Sequence, residues 1–459
     1  MSEITRQTQA ARIAATLASH PAVTIAEKVR QAGIVGAGGA GFPTYVKLQA
    51  KAEIYLVNAA ECEPMLKVDQ QLMATQADRL IRGLSYGMAA TGASQGIIAL
   101  KAKYQAAIAA LEPLLPPQIR IHILPDVYPA GDEVITIWQA TGRRVPAGEL
   151  PISLGVVVNN VQTLLNLTSA LEDDHPVTHR TLTINGAVVH PMTITVPLGV
   201  TLGEVLTLAG GATVPQAGYI NGGPMMGHLV TSLAQPVTKT TGGLLVLPAA
   251  HLLIQRRERS DADIINLART VCEQCGLCTD LCPRHIIGHE LPPHLLVRAV
   301  NYQQLDPPSV LLSALTCSEC SVCESYACPV DISPMRLNRL LKTQLRAQGL
   351  RYQGEIRAED PMAAYRLVPI PRLISRLQLE PFYQAAPLQP LDWQPEQVTL
   401  PLQQHIGAPA QAVVAVGDSV RLGQCIAVPK EGALSVAIHA SIDGVISAVA
   451  PTHISIRRA

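Results

Sequence analysis

The chain has 459 residues, which suggests about three domains, and only 15% of its residues are charged. The 35 Lys and Arg residues balance the 35 Asp and Glu residues, so the formal net charge is zero. A neutral chain without a basic block offers little to a nucleic-acid backbone or to an anionic membrane surface, so we expect no nucleic-acid partner. No apolar stretch reaches the ~20 residues of a membrane-spanning helix, and no membrane span is expected.

The N-terminal segment 1–25 lacks the basic region and apolar stretch that mark a secretory signal, which predicts a cytoplasmic protein. Residues 3–19 are rich in Ala, Gln and Arg and have a weakly amphipathic pattern, which predicts a helix. Such a terminal helix is more typical of packing against a core than of a docking tag.

Residues 26–175 alternate short apolar strands with helices. Strands are predicted at 53–58, 96–100 and 119–124, and helices at 72–91 and 103–115. This alternation is typical of a parallel sheet with crossover helices, and it predicts a Rossmann-like α/β domain. A glycine-rich loop precedes the first strand, and its backbone has the freedom to turn N–H groups toward a phosphate.

The two remaining β-rich regions are smaller. Residues 176–250 combine short strands, one of which contains an Asn-Gly turn, with a helix near 202–209, and they predict an α+β domain of β-grasp type. Residues 346–395 contain several prolines and little periodicity, which predicts an extended linker. Residues 396–459 alternate short apolar runs with glycine turns and predict a compact all-β module.

Cysteine is the most specific signal, because eight of the ten cysteines lie in two runs within a helical region, 255–345. The runs read C-x2-C-x2-C-x3-C-P and C-x2-C-x2-C-x4-C-P, so the second has one inserted residue. In two-cluster ferredoxins the last cysteine of each run ligates the other cluster. The predicted ligand sets of two [4Fe–4S] clusters are therefore Cys272, Cys275, Cys278 and Cys328, and Cys317, Cys320, Cys323 and Cys282.

Tetrahedral zinc is the alternative metal, but zinc ribbons use two separated cysteine pairs, whereas a third cysteine follows at once in each run. Close clusters of this kind are typical of a module that moves single electrons. Cys62 and Cys425 lie outside the pattern and are predicted to be small buried thiols.

Three motifs indicate that the glycine-rich loop is more than an ordinary turn. They are the loop with Phe42-Pro43-Thr44 and Lys47, the stretch NAAECEP at 58–64, and the stretch VNNVQT at 158–163. Together they resemble the flavin-binding subunit of respiratory complex I and, more closely, the C subunit of the Rnf electron-transfer complex. The resemblance covers nearly the whole chain. It implies an FMN- and NADH-binding α/β domain, an SLBB-like β-grasp domain, a two-cluster ferredoxin-like domain and a barrel-sandwich hybrid domain.

The same resemblance implies roles for individual residues. Phe42, one of only two Phe residues, is a candidate flavin neighbour because it lies inside the loop. Glu61 and Glu63 match paired carboxylates that line the NADH side, and they are the candidate catalytic residues. Ala60 and Cys62 depart from the complex I motif, which has an acid and a glycine there. The candidate FMN-binding residues are Gly36, Gly38, Gly39, Gly41, Phe42, Lys47, Asn58, Asn159, Asn160 and Thr163.

Domain order separates the possible relatives. The hybrid module is N-terminal in Rnf C subunits but comes last here, an order that resembles the cobalamin reductases of propanediol-utilisation microcompartments. This family implies an NADH-dependent oxidoreductase. It passes single electrons from FMN through two [4Fe–4S] clusters to cobalamin and so reactivates the B12 cofactor of diol dehydratase. Lys430 lacks the Met-Lys-Met context of a lipoyl or biotinyl carrier.

The family also implies a place inside a bacterial microcompartment, with a shell protein and an adenosyltransferase as partners. Two alternatives stay open. One is an Rnf-type C subunit that feeds electrons to membrane partners, and the other is a non-catalytic iron–sulfur scaffold or shell-docking adaptor.

Overall fold

The computed structural model describes residues 3–302, 308–352 and 354–459. Residues 1–2, 303–307 and 353 therefore lie outside the described residues, and with them small parts of the predicted N-terminal segment, cluster domain and linker. Within the described ranges, no helix is both long enough and apolar enough to cross a bilayer.

The N-terminal α/β domain is built on a four-stranded parallel sheet, as the alternating pattern predicts. Its elements are α1 (Glu3–Ser19), α2 (Ala22–Gln31), α3 (Thr44–Leu48), β1 (Ile54–Ala59), α4 (Val68–Thr75), α5 (Ala77–Thr91), β2 (Gln95–Lys101), α6 (Gln105–Leu111), β3 (Ile119–Leu124), β4 (Val127–Tyr128), α7 (Glu133–Thr141), β5 (Val156–Asn160) and α8 (Val161–Glu172). The single helix predicted at 72–91 is two helices, because the chain leaves helical geometry at Gln76.

Strand β1 is buried on both faces, as expected for a central parallel strand. The sheet order is β3-β2-β1-β5. Tyr55 and Val57 belong to the core that α5 and α8 cover, whereas Leu56 belongs to a second core on the other face, with Ile135 of α7. The helices therefore cover both faces, and the predicted Rossmann-like layering is confirmed.

The β-grasp domain follows as a five-stranded mixed sheet of order β7-β6-β10-β8-β9. Its helix begins with a capping box in which Thr201 and Glu204 satisfy each other's backbone N–H groups. The elements are β6 (His179–Gly186), β7 (Met192–Pro197), α9 (Leu202–Leu208), β8 (Ala217–Asn221), β9 (His228–Leu229) and β10 (Gly243–Pro248).

The cysteine domain is helical. Its elements are α10 (Leu252–Glu258), α11 (Asp261–Val271), α12 (Leu277–Asp280), α13 (Pro283–Ile286), α14 (Pro293–Tyr302), α15 (Pro308–Ser313) and α16 (Pro334–Ala347). Most of these helices are short, and the cysteines lie in the connections or at helix ends. At each of the two cysteine runs, the backbone can therefore wrap around a bound group.

The segment predicted as an extended linker, 346–395, contains local structure and packs against the domains before it. It forms α17 (Ala363–Arg366), β11 (Val368–Pro369) and α18 (Ile370–Arg376), and β11 pairs with β4 of the α/β domain. Leu373 and Leu377 are spaced for one helix face, and both are fully buried. The proline in the first turn of α18 starts this helix instead of breaking it.

The hybrid module consists of two small antiparallel sheets, of order β12-β18-β17-β14 and β13-β15-β16. Alternate residues of β12 and β18, such as Val398, Leu400 and Ile456, are buried. The strands are β12 (Gln397–Pro401), β13 (Gln411–Ala412), β14 (Ser419–Val420), β15 (Cys425–Val428), β16 (Ile438–His439), β17 (Gly444–Val449) and β18 (His453–Arg457).

Close packing of α5 on α8 yields a first prediction. A Cβ atom on Gly83 would overlap the carbonyl oxygen of Leu164. We expect Gly83→Ala to destabilise the protein by about 2 kcal/mol, because overpacking against backbone outweighs the gain of ~1 kcal/mol in helix propensity. The exposed Ala89→Gly, in the same helix, is the control and costs only that propensity. Thermal unfolding midpoints measure both, and a Gly83→Ala midpoint at or above wild type would contradict the packing argument.

Candidate functional site

The parallel sheet creates a crevice at the carboxyl ends of β1 and β5. The chain proceeds from β1 to β2 on one side of β1, and β5 adds on the other side, so the strand order reverses between β1 and β5. Ligands bind at such switch points in open α/β sheets. Asn58 is paired in register with Asn160, and Val57 with Asn159. Three of the predicted FMN-binding residues therefore lie at this edge.

The glycine-rich loop borders the same edge, with its flanks tied and its tip exposed. The Gly36 N–H donates to the Phe42 carbonyl oxygen at 2.8 Å, and the Ala37 N–H donates to Thr163 Oγ1 at 2.9 Å. A Cβ atom built on Gly38 would lie 3.7 Å from the Asn160 Cβ. Gly39 and Gly41 have φ values of +115° and +65°, which a residue with a side chain rarely adopts.

The predicted polar contacts to FMN also hold the walls of the crevice. Lys47 Nζ donates to Glu133 Oε1 and to the Val158 carbonyl oxygen, each at 2.8 Å. Asn58 Nδ2 donates to the Gly131 carbonyl oxygen at 2.8 Å.

Asn159 Nδ2 donates to the buried Tyr55 hydroxyl at 2.5 Å. Thr163 is fully buried behind the loop and fixes the loop backbone, while Phe42 is half-buried within it. The predicted residues are thus gathered around one edge of the sheet. The side chains of Asn159 and Thr163, however, bind Tyr55 and the loop backbone behind that edge.

Glu61 and Glu63 are held by backbone amides of different elements. The Glu61 carboxylate accepts the Asp69 N–H at 2.8 Å and Gln70 Nε2 at 2.8 Å, at the start of α4. The Glu63 carboxylate accepts the N–H groups of Met225 and Met226 at 3.0 and 2.8 Å, in the turn between β8 and β9. Burial raises the pKa of both carboxyl groups, and these hydrogen bonds oppose the shift. Glu63 thereby ties the α/β domain to the β-grasp domain.

Asp69 is a residue of this region that sequence reasoning missed. Its carboxylate accepts Asn160 Nδ2 at 2.7 Å, next to the glycine-rich loop. Burial, with the Glu61 carboxylate close by, raises the pKa of Asp69. In sequence Asp69 looks like an ordinary acidic residue in the first turn of a helix, and its partner lies 91 residues away.

One cysteine-lined cavity holds the second predicted ligand set. Cys282, Cys317, Cys320 and Cys323 line one cavity, together with Arg284 and Asn338. Burial raises the pKa of Cys282 to about 12, so a bound cationic group is needed to stabilise its thiolate. The donor set fits an iron–sulfur cluster, whose ligands are thiolates.

The other predicted set lines a second cavity. Cys272, Cys275, Cys278 and Cys328 surround it, with His294 and Val297. Cys275 is exposed, whereas three cysteines of the first cavity are buried. We call these the inner cavity (Cys282, Cys317, Cys320, Cys323) and the outer cavity (Cys272, Cys275, Cys278, Cys328).

The inserted residue of the second cysteine run is accommodated by helix geometry. Cys323–Ala327 forms one π-helical turn before Cys328. A π-turn closes over one more residue than an α-turn, so the longer spacing still delivers Cys323 and Cys328 to different cavities.

The inner cavity adjoins the α/β domain. The Tyr128 hydroxyl donates to the Cys320 carbonyl oxygen at 2.7 Å. Arg284, which lines the inner cavity, pairs with Asp132 at 2.9 Å, and both side chains are largely buried. Asp132 also accepts the N–H groups of Val134 and Ile135 at the start of α7. These contacts fix the inner cavity against the domain that carries the crevice.

Comparison with family models supports this assembly. The Nuo51 FMN-binding domain matches residues 29–169, and the SLBB domain matches 181–228. The 4Fe-4S dicluster domain matches 271–333, and the RnfC barrel sandwich hybrid domain matches 384–458. The predicted FMN and iron–sulfur cofactors, and the order of the four modules, are confirmed.

Curated relatives match nearly the whole chain. The cobalamin reductase PduS of Salmonella typhimurium is 67% identical over 434 residues, which cover 95% of this chain and 96% of that protein. The cobalamin reductase PduS of Citrobacter freundii is 65% identical, covering 96% and 97%. A more distant relative, the C component of the Na⁺-translocating ferredoxin:NAD⁺ oxidoreductase complex of Acetobacterium woodii, is 37% identical, over 59% of this chain and 60% of its own.

Asp69 yields a second prediction. Because its pKa is raised, its carboxyl group keeps its proton to a higher pH than an ordinary aspartate and becomes anionic as the pH rises further, beside a loop suited to a phosphate. We expect wild-type affinity for FMN to fall relative to Asp69→Asn as pH rises from 6 to 8, by about threefold to tenfold. Fluorescence titration of flavin-depleted protein measures both. Ionisation of the FMN phosphate affects both proteins equally, and the exposed Asp392→Asn is the control. Parallel pH profiles would contradict this role.

Proposed function

Because the chain belongs to the cobalamin reductase PduS family, we propose that it is an NADH-dependent oxidoreductase that delivers electrons to cobalamin through FMN and two [4Fe–4S] clusters. The observation that carries the proposal is an α/β sheet with a switch point at β1 and β5, joined through Tyr128 and Arg284 to a domain that has two four-cysteine cavities. When bound, FMN accepts two electrons as hydride and iron–sulfur clusters transfer electrons singly.

In this proposal the glycine-rich loop holds the FMN phosphate. The backbone around Gly38 and Gly39 forms the exposed tip and is accessible to an anion, as in other glycine-rich phosphate sites. Lys47 and Asn58 line the walls with polar groups, while Asn159 and Thr163 act from behind by fixing the strand end and the loop. Gly36 and Gly41 bound the loop at its tied flanks.

The two glutamates differ in the capacity they retain for NADH. A carboxylate has about four acceptor positions. Glu61 uses three, for the N–H groups of Asp69 and Gln70 and for the Gln70 side chain. Glu63 uses two, for Met225 and Met226. We therefore assign Glu63 as the better ribose-hydroxyl acceptor and Glu61 as a residue that positions α4.

The two cavities differ in their exposure to solvent. Buried Cys320 and Cys323 keep solvent from the inner cavity, which is joined to the α/β domain through Tyr128 and Arg284. The outer cavity reaches the surface at Cys275. A bulky acceptor such as cobalamin has access to that side, so we propose that electrons leave the protein there.

The proposed function also implies a location and partners. We place the protein inside the propanediol-utilisation microcompartment, with a shell protein and an adenosyltransferase as neighbours. The support is the relationship to the PduS family.

The third prediction tests the overall activity. Protein purified without oxygen is expected to contain one FMN and ~8 irons per chain, and to oxidise NADH with cob(III)alamin as acceptor. Absorbance changes of NADH and of the corrinoid measure the reaction, with riboflavin-free buffer and heat-treated protein as controls. A preparation that contains the irons but no flavin would overturn the enzyme proposal in favour of a scaffold.

The fourth prediction tests the two cysteine sets. Cys320→Ser and Cys275→Ser are each expected to lower the iron content from ~8 to ~4 per chain, because each removes a ligand of one cluster. Both variants should retain NADH oxidation with ferricyanide, which accepts electrons from flavin directly, and lose cob(III)alamin reduction. Cys425→Ser, outside both sets, is the control and should keep ~8 irons. Unchanged iron in Cys320→Ser would contradict the inner set.

A further inference from the structure

Lys239 lies buried at the meeting point of three domains. It stands in the β-grasp domain shortly before β10 and is only 2% exposed. Its Nζ donates to the Gly33 carbonyl oxygen of the α/β domain at 2.7 Å and to the Ala437 carbonyl oxygen of the hybrid module at 2.9 Å. These partners are 206 residues before it and 198 residues after it.

The backbone of Lys239 is held by the hybrid module as well. Its N–H donates to the buried Gln404 Oε1 at 3.1 Å. Burial lowers the pKa of Lys239 to about 7, with the Cys425 thiol nearby as an opposing influence. A neutral amine retains two N–H donors, which is the number of carbonyl oxygens that it serves. The bridge therefore persists in either protonation state.

The hybrid module also contacts the glycine-rich loop directly. The Ile406 N–H donates to the Gly41 carbonyl oxygen at 3.3 Å. A Cβ atom on Gly41 would lie 2.8 Å from Thr240 Cγ2 and 3.2 Å from the His405 Cα, so the module packs against the loop without a gap. At Gly33 an added Cβ atom would overlap both Ala437 and Lys239.

A second buried cation holds the middle of the loop from the β-grasp side. Arg180 Nη2 donates to the Ala37 carbonyl oxygen at 2.8 Å, and its Nε donates to the Thr241 carbonyl oxygen at 2.6 Å. Arg180 and Lys239, both of the β-grasp domain, therefore bind the loop at Ala37 and the residue Gly33 that precedes the loop. Lys239 also binds Ala437 and so links the hybrid module to this region.

We propose that the hybrid module is a structural part of the flavin site, and that Lys239 is the positioning residue through which it holds the glycine-rich loop ready for FMN. This inference rests on the proposed flavin site. It gives the module a role other than that of a carrier or a docking surface, because its contacts converge on the loop.

The test compares flavin affinity and loop protection in full-length variants. Lys239→Met keeps most of the side-chain volume but removes both donors, and it leaves two buried carbonyl oxygens unpaired. We expect the FMN dissociation constant of flavin-depleted protein to rise about tenfold or more. Hydrogen exchange should become faster in peptides that cover 33–44 and 404–408, and stay unchanged in those that cover 317–328. Lys430→Met, which removes an exposed lysine of the hybrid module, is the matched control.

A second variant covers the case in which Lys239→Met does not fold. Gln404→Ala removes the acceptor for the Lys239 N–H and a donor to the Pro401 carbonyl oxygen of its own module, but it leaves the Lys239 side chain in place. It should weaken FMN binding in the same direction by a smaller factor. Wild-type affinity in the folded variants, with iron content at ~8 per chain, would overturn the positioning role. A wild-type protein that takes up no FMN would instead overturn the proposed flavin site itself, so the two failures are distinguishable.

Discussion

A glycine-rich loop has few side chains with which to hold its own shape, and the proposed flavin site depends on that constraint. Glycine loses more backbone entropy on folding than other residues do. Surrounding elements must therefore supply the contacts that keep the loop ordered. Thr163 of α8, Arg180 of the β-grasp domain and Ile406 of the hybrid module each bind one backbone group of the loop. Three domains are therefore needed to shape a loop that belongs to only one of them.

Buried cations at domain borders follow from the same need. A buried charge is costly unless its hydrogen bonds are satisfied. Lys239 and Arg180 meet backbone carbonyl oxygens, while Arg284 meets the carboxylate of Asp132. Each of the three joins residues of different domains. The chain is poor in charge overall, yet it places these charges where the relative position of domains decides the geometry of a site.

Local patterns carried the sequence predictions that succeeded, and distant contacts limited the others. Strand β1 was recognisable because it is a continuous apolar run. The cysteine spacing, with the two-cluster ferredoxin pattern, predicted which four cysteines would line each cavity. The hydrogen-bond partners of Glu61, Glu63 and Asp69 come from other elements, such as the Met225 N–H and the Asn160 amide. No local sequence pattern indicates such distant contacts. Prolines near α18 suggested an extended chain, although a proline in the first turn is compatible with a helix.

The segment 346–395 explains how the last module in sequence reaches the first loop. Val368 pairs with Tyr128, which also contacts the inner cavity, and the Thr193 backbone bonds to Pro387 and Gln389. The segment is thus fixed at the α/β domain near its middle and at the β-grasp domain near its C-terminal end. A pinned segment costs the hybrid module little further entropy when it docks. The segment thereby lets a module that comes last in the chain contact Gly33 and Gly41 near the first strand.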